Sequence, residues 1–194
     1  GIVVFVNAWW TTEEMEYGFD DSTARVCFAD KERLATIKPF AKKKSIKLYS
    51  VRCLDDPEIE KYDDILNNFE RVDLVDVDLK PDDDFAIMYT SGSTGHPKGV
   101  VLTHRGAITA TFSWLMAERV GGLLADPEKL ARRRASSVLL LSPMFHVNGS
   151  HPNFFYSIAR GSKIVLMYKW DPVKAIDIIR DEIITRITAV PTVV

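Results

Sequence analysis

The amino-acid sequence predicts an α/β protein in which mostly parallel sheets are layered with helices. Short runs of apolar and β-branched residues alternate with segments whose apolar residues recur at helical spacing, and this alternation is typical of parallel strands joined by helices. Hydrophobic residues make up 46% of the 194 residues and charged residues 27%, so the composition is that of a folded chain with a core.

The first 80 residues predict three strands, each followed by a helix. The strands cover 1–6, 25–29 and 46–51, and two of the helices cover 31–44 and 57–69. Thr11 and Glu14 form a capping box that starts the first helix, and Pro39 is expected to interrupt the second.

A polar connector at 76–84 follows these elements. It contains Pro81 and several aspartates, which favour a loop over a helix or a strand. We therefore predict a boundary there between two portions of one domain, residues 1–80 and residues 81–194.

The second portion continues the alternation. The predicted strands cover 85–90, 100–102, 137–141, 163–167 and 187–190, and the helices cover 105–120, about 153–160 and 172–183. Gly121 and Gly122 are expected to end the first of these helices. Asp171 is the expected N-cap of the last helix, with Pro172 in its first turn.

Charge and composition exclude several classes of function. Lys and Arg number 25 against 27 Asp and Glu, and a net charge of −2 gives no overall basic field for nucleic acid. The longest apolar runs are far shorter than the roughly 20 residues of a membrane-spanning helix. Two cysteines, Cys27 and Cys53, are too few for a disulfide framework, and no signal peptide precedes the first strand, so we expect a cytoplasmic protein.

The most informative segment is 89–99, which reads YTSGSTGHPKG directly after an apolar strand. We expect its glycines to turn with positive φ and to let the backbone approach a ligand closely, while successive N–H groups form a concave anion site. Hydroxyl groups add donors, and Lys98 adds a positive charge in a loop without acidic side chains. The glycines are Gly92, Gly95 and Gly99, and the hydroxyl residues are Thr90, Ser91, Ser93 and Thr94. The segment therefore predicts a polyphosphate site.

Two better-known motifs do not fit this segment. A Walker A loop requires Lys directly after Gly and a hydroxyl residue after Lys, whereas Pro97 precedes Lys98 and Gly99 follows it. A nucleophile elbow requires G-x-S-x-G, and the glycine spacing is wrong for it. The basic runs 42–44 and 132–134 are interpreted as solvated faces or loops.

The sequence resembles the adenylate-forming (AMP-binding) enzymes, and among them most of all bacterial acyl-CoA synthetases that act on fatty acids. Their signature is Tyr-Thr-Ser-Gly-(Ser/Thr)-Thr-Gly-x-Pro-Lys-Gly, which residues 89–99 match at every fixed position. Residues 143–149, PMFHVNG, are similar to the family's Pro-x-Phe-His-x-x-Gly segment, and residues 190–192 are similar to its Val-Pro stretch. The resemblance implies that the chain is part of the large N-terminal domain of such an enzyme.

The resemblance also implies roles for eight residues. Lys98 would bind the β- and γ-phosphates of ATP and act in catalysis, Thr90 would contact phosphate and Mg²⁺, and His146 would line the acyl-adenylate site as a second catalytic residue. The remaining phosphate-binding residues would be Ser91, Gly92, Ser93, Thr94 and Gly95. The cofactors implied are ATP, Mg²⁺ and CoA. The substrate implied is a fatty or aryl carboxylic acid, and a homodimer stays open.

Several family segments have no counterpart in residues 1–194. These are the Tyr-Gly-x-Thr-Glu segment, the ribose-binding Asp, the hinge, and the C-terminal domain with its catalytic Lys. We therefore expect a piece of a longer acyl-CoA ligase that turns over little by itself. Two alternatives remain: an amino-acid adenylation domain, which usually has Phe-Asp where this chain has Phe145-His146, and a non-catalytic nucleotide-binding fragment.

Overall fold

The structure is a computed structural model that describes residues 1–52, 56–70, 73, 75–92, 95–131 and 133–189. The chain forms two compact units. The first comprises Gly1–Lys80 and Ala86–Val101, and the second comprises Pro81–Phe85 and Leu102–Val194. Residues 86–101 belong to the first unit because Ala86 and its neighbours pair with the strand nearest the N-terminus. The division of one domain into portions 1–80 and 81–194 stays a prediction.

Strands and helices alternate along the described residues, as the sequence predicts. The strands are β1 (Val3–Phe5), β2 (Val26–Ala29), β3 (Lys47–Ser50), β4 (Glu60–Lys61), β5 (Asp84–Thr90), β6 (Lys98–Thr103), β7 (Ser137–Leu140), β8 (Lys163–Leu166) and β9 (Arg186–Thr188). The helices are α1 (Thr12–Ser22), α2 (Lys31–Ala41), α3 (Tyr62–Asn67), α4 (His104–Leu123), α5 (Pro127–Ala131), α6 (Val147–Gly149), α7 (Tyr156–Arg160) and α8 (Pro172–Asp181). A π-helix, Ser150–Phe155, lies between α6 and α7.

The strands form three sheets with the orders β1-β5-β6, β2-β3-β4 and β8-β7-β9. β5 runs parallel to β1, β3 runs parallel to both β2 and β4, and β7 runs parallel to both β8 and β9. Between β5 and β6 only residues 91–97 intervene, too few for a parallel crossover, so these two strands form a hairpin. The prediction of an α/β fold with mostly parallel sheets is confirmed.

In the first unit, α2 packs against the sheet of β2, β3 and β4, and α1 packs against α2. The aromatic rings of Phe19 on α1 and Phe40 on α2 lie 5.7 Å apart, and Ile37 beside them is 2% exposed. In the second unit the core lies along β7, where Val138 and Leu139 are completely buried between β8 and β9. Each unit therefore has apolar residues of its own to hold its sheet.

Side-chain caps start both helices for which the sequence predicts them. The Thr11 hydroxyl accepts the Glu14 N–H at 3.3 Å, and the Glu14 carboxylate accepts the Thr11 N–H at 2.8 Å. The Asp171 carboxylate accepts N–H groups from residues 173 and 174, one turn ahead of it, with Pro172 in the first turn. Both predictions are confirmed.

Two predicted helix breaks are wrong. α2 continues through Pro39 to its end at Ala41. The proline removes one backbone hydrogen bond, and only two helical residues follow it. α4 continues through Gly121 and Gly122 to Leu123, since glycine costs a helix only about 1 kcal/mol per residue relative to alanine.

Two predicted helices differ from those in the structure. In the segment 57–69 the short strand β4 comes first, the helix α3 begins at Tyr62, and Leu66 and Phe69 are exposed although their spacing is helical. The helix predicted at about 153–160 is α7, preceded by the π-helix. The predicted segment 190–192 lies outside the described residues. Within the described part of the chain, no helix combines the length and apolarity needed to cross a membrane.

We expect the substitution Thr11→Ala to lower the free energy of unfolding by about 1 kcal/mol, because it removes the hydroxyl that caps α1. Urea unfolding followed by circular dichroism measures this loss. Thr12→Ala is the matched control: Thr12 is the next residue, is exposed and lies inside the helix, where alanine is favoured. An equal loss of stability in both variants would contradict the capping role.

Candidate functional site

The glycine-rich loop, residues 89–99, starts from a buried and firmly held position. Tyr89 is the last buried residue of β5, and its hydroxyl donates to the Asp21 carboxylate of α1 at 2.7 Å. The carbonyl of Gly18 lies 3.2 Å from the same hydroxyl, and the ring of Trp10 packs edge-on against the tyrosine at 5.1 Å between centroids. Burial, together with the adjacent Asp21 carboxylate, raises the pKa of Tyr89 far above its usual range. The start of the loop is therefore fixed to α1.

The three glycines of the loop have different surroundings. A side chain at Gly92 would place its Cβ 2.0 Å from the backbone carbonyl oxygen of His96, so that position requires glycine. A Cβ at Gly99 would lie 3.1 Å from the side chain of Ile87, a tight contact that a small shift of that side chain would relieve. Gly95 alone of the three has a positive φ, +99°, and the space around it is open. The expectation of positive φ is therefore wrong for Gly92 and Gly99.

A second contact holds the far side of the loop. The ring of His96 stacks on Tyr17 of α1 at 4.8 Å and 24°, and Pro97 beside it is buried. Sequence reasoning gives His96 no role and does not find Tyr17, because nothing in a single sequence relates positions so far apart. α1 therefore contacts the loop through Tyr17 as well as through Asp21.

The polar groups of the loop face outward. Thr90, Ser91 and Lys98 are exposed, and the Thr90 hydroxyl lies 3.5 Å from the backbone carbonyl of Lys98. Lys98 forms no ion pair with the described residues, so its positive charge is available to a ligand. Ser93 and Thr94 lie outside the described residues. The donors that are described suit an anion, and no carboxylate of the loop competes for them.

His146 lies in the second unit, at the N-cap position of α6, and is exposed. Its ring packs against Phe145 at 4.6 Å, and its carbonyl accepts the N–H groups of Gly149 and Ser150 at 2.9 and 3.1 Å. A Cβ on Gly149 would lie 2.1 Å from the carbonyl oxygen of Pro143. The spacing of proline, histidine and glycine in this segment therefore reflects a tight backbone contact that turns the chain into α6.

The second histidine of this region has a different environment. His151 is 4% exposed, its Nδ1 lies 2.9 Å from the Ser150 hydroxyl, and burial lowers its pKa. Phe155 packs edge-on against its ring at 5.3 Å. Among the described residues no group of three or more His, Cys, Asp or Glu side chains is arranged to hold a metal ion.

The predicted site residues thus fall into both units. Thr90, Ser91, Gly92, Gly95 and Lys98 are brought together in the first unit around one loop. His146 belongs to the second unit and is described there by itself.

Comparison with known proteins points to one family. The sequence model of the AMP-binding enzymes matches residues 1–194. The curated protein 4-coumarate–CoA ligase 3 of Oryza sativa subsp. japonica is 31% identical over 188 residues, which are 97% of this chain and 32% of that protein. A second, 4-coumarate–CoA ligase 2 of Nicotiana tabacum, is 27% identical over 100% of this chain and 34% of its own length. The chain thus spans about a third of the curated relatives it matches.

Solved structures share the fold. The N-terminal domain of FACL13 from Mycobacterium tuberculosis is 27% identical with a TM-score of 0.73, over 99% of this chain and 44% of that chain. ATP-bound MatB from Rhodopseudomonas palustris is 21% identical with a TM-score of 0.75, over 96% of this chain and 34% of that chain.

We expect Tyr89→Phe to lower the free energy of unfolding at pH 7 by about 1.5–3 kcal/mol, since a hydrogen bond to a carboxylate is lost. Because the folded-state pKa of Tyr89 is raised, this stability is fully present below about pH 10, the pKa of an unfolded tyrosine, and is lost as the pH rises further. The difference between wild type and Tyr89→Phe should therefore shrink at high pH.

Urea unfolding at pH 7, 9 and 10.5 measures this difference. Tyr168→Phe is the control, since its side chain is 87% exposed. A Tyr89→Phe protein as stable as wild type at pH 7 would show that the contact with Asp21 does not hold the loop.

Proposed function

We propose, since this chain belongs to the AMP-binding enzyme family, that the whole protein activates a carboxylic acid with ATP and transfers the acyl group to CoA. The single observation that carries the proposal is the ammonium group of Lys98. It is exposed at the end of the glycine-rich loop and forms no ion pair with the described residues.

In the first step, an oxygen of the carboxylate attacks the α-phosphorus of ATP. The bond between the α-phosphorus and its bridging oxygen breaks, pyrophosphate leaves, and an acyl-adenylate remains. Negative charge grows on the departing pyrophosphate, so donors fixed in advance at that place lower the barrier. The loop supplies them in this proposal: its backbone N–H groups, its hydroxyls and Lys98 bind the β- and γ-phosphates.

The loop fits this task because α1 holds it at two places before a ligand arrives. The Tyr89 hydroxyl at the entry of the loop donates to Asp21, and the His96 ring near its far end stacks on Tyr17. Donors that need no rearrangement are worth more to a transition state than flexible ones. Mg²⁺ would supply charge neutralisation between phosphate oxygens, and the Thr90 hydroxyl at the end of β5 is the proposed protein contact.

In the second step the CoA sulfur attacks the acyl carbonyl carbon, AMP leaves, and a thioester forms. We assign His146 to the acyl-adenylate site, near the reacting carboxylate. Its exposed imidazole directly precedes α6, where Gly149 and Pro143 fix the backbone. An imidazole at this position, in place of a carboxylate, favours an acid without an α-amino group.

Aryl acids and fatty acids are the proposed substrates. The curated relatives named above are 4-coumarate–CoA ligases, which makes a hydroxylated aryl acid the first compound to test. A role in fatty-acid metabolism, a cytoplasmic location and a homodimer belong to the same proposal. The 194-residue chain by itself is expected to bind nucleotide and to turn over little.

We expect Lys98→Ala to weaken ATP binding by roughly tenfold or more, the effect of losing one charge-assisted hydrogen bond. Isothermal titration calorimetry on the 194-residue chain measures the affinity. Lys174→Ala is the matched control, because Lys174 is an exposed lysine of α8 in the second unit. If Lys98→Ala left the affinity for ATP unchanged, the loop would be excluded as the binding site of the phosphates.

Pyrophosphate release by the whole protein tests the reaction. We expect release that depends on 4-coumarate or on a fatty acid, that is followed by a CoA thioester, and that Lys98→Ala reduces about 100-fold or more, as for loss of a single transition-state donor. Exchange that depends on amino acids alone would favour an amino-acid adenylation domain instead. ATP binding without any acid-dependent release would favour a non-catalytic nucleotide-binding protein.

A further inference from the structure

Arginines make up half of the residues that line a cavity of about 310 Å³ in the second unit. It lies where α4, α7 and β9 meet the residues that precede β7. Its lining consists of Glu118, Arg133, Arg134, Ser136, Tyr156, Arg160, Thr185 and Arg186. Four guanidinium groups thus face a single carboxylate.

Both oxygens of the Glu118 carboxylate already accept hydrogen bonds from neighbouring side chains. Glu118 accepts from the Tyr156 hydroxyl at 2.6 Å and from Arg160 Nε at 2.6 Å, and a second Arg160 nitrogen contacts its other oxygen. Arg133 approaches it at 3.4 Å. Burial alone would raise the pKa of Glu118, but the hydrogen bonds from Arg160 and Tyr156 lower it below its usual range. Glu118 therefore stays ionised and holds Arg160 in place.

Arg186 is held by neutral groups only. One guanidinium nitrogen donates to the Ser157 hydroxyl at 2.7 Å and the other to the Pro152 carbonyl at 3.4 Å, while the Tyr156 ring lies 4.8 Å from the guanidinium carbon. Its Nε is buried and has no hydrogen-bond partner among the described residues. Arg186 forms no ion pair with those residues, and burial lowers its pKa.

This arrangement is costly without a further partner. Removing a guanidinium from water is unfavourable unless an anion compensates it, and within the described residues the cavity offers none to Arg186. Arg134, at the edge of the cavity, is exposed and also lacks an ion pair in the described structure. The planar donors of arginine match the oxygens of a phosphate or a carboxylate, often through two hydrogen bonds at once.

We propose that this cavity binds an oxyanion, a phosphate or a carboxylate group, between the guanidinium groups of Arg134 and Arg186. Arg160, which Glu118 holds in place, lines the same cavity. The cavity volume lies at the lower end of the range for small-molecule sites, so the oxyanion is one group of a small molecule. The proposal does not depend on the acyl-CoA ligase activity, because none of the lining residues is assigned a role in that reaction.

Calorimetric titration of the 194-residue chain at low ionic strength tests the proposal, with inorganic phosphate in one arm and succinate in the other. Each titration is repeated in a Lys98→Ala background, which weakens anion binding at the glycine-rich loop. We expect at least one of the two anions to bind, and Arg186→Gln and Arg134→Gln each to weaken it roughly tenfold. Tighter binding of inorganic phosphate would identify a phosphate ligand, and tighter binding of succinate would identify a carboxylate ligand.

Arg180→Gln is the matched control. Arg180 is an exposed arginine of α8 that pairs with Asp177 and Asp181, and it is not part of the cavity. Circular dichroism verifies that each variant folds. If Arg186→Gln does not fold, the effect of Arg134→Gln on anion affinity decides whether the proposal holds, because Arg134 is exposed. The proposal is overturned if neither anion binds in the Lys98→Ala background, if Arg134→Gln leaves the affinity unchanged, or if Arg180→Gln weakens binding equally.

Discussion

The hydrogen bond between Tyr89 and Asp21 is the interaction on which the candidate site depends. Tyr89 is the last buried residue of β5, and Asp21 lies on α1, so this contact ties the central strand of a sheet to a helix at the point where the loop begins. The ring of His96, near the far end of the loop, stacks on Tyr17 of the same helix. The loop is therefore held on α1 at two places. Substitutions at Asp21 would remove the contact at its entry.

The same contact has an electrostatic consequence. Asp21 accepts the hydrogen bond of the Tyr89 hydroxyl and forms no ion pair with Lys98. Lys98 remains unpaired among the described residues, although the whole chain carries a net charge of −2. Fields of exposed charges fade over about 8–10 Å at physiological salt. Attraction of an anion to the loop therefore arises locally, from Lys98 and the backbone N–H groups, and does not require a basic protein.

Local sequence signals predicted those parts of the structure that local physics decides. The capping box at Thr11, the N-cap Asp171 and the glycine-rich loop after an apolar strand each depend on residues a few positions apart. The contacts of His96 with Tyr17 and of Arg186 with Ser157 join residues far apart in the sequence, and no single-sequence pattern encodes them. From the sequence alone, the basic run 132–134 is interpreted as solvated. Arg133 and Arg134 line a cavity whose other residues, on α4, α7 and β9, are distant in the sequence.

The chain thus contains two cationic sites built on different principles. In the phosphate site proposed for the glycine-rich loop, the donors are the flexible ammonium of Lys98, hydroxyl groups and backbone N–H groups, a set that suits a group whose charge grows as a bond breaks. In the cavity, guanidinium groups are held by Glu118, Ser157 and the Tyr156 ring before any ligand is present. Rigid, planar donors recognise an anion whose charge and shape stay constant. Under the two proposals, the loop therefore serves a chemical step and the cavity serves recognition.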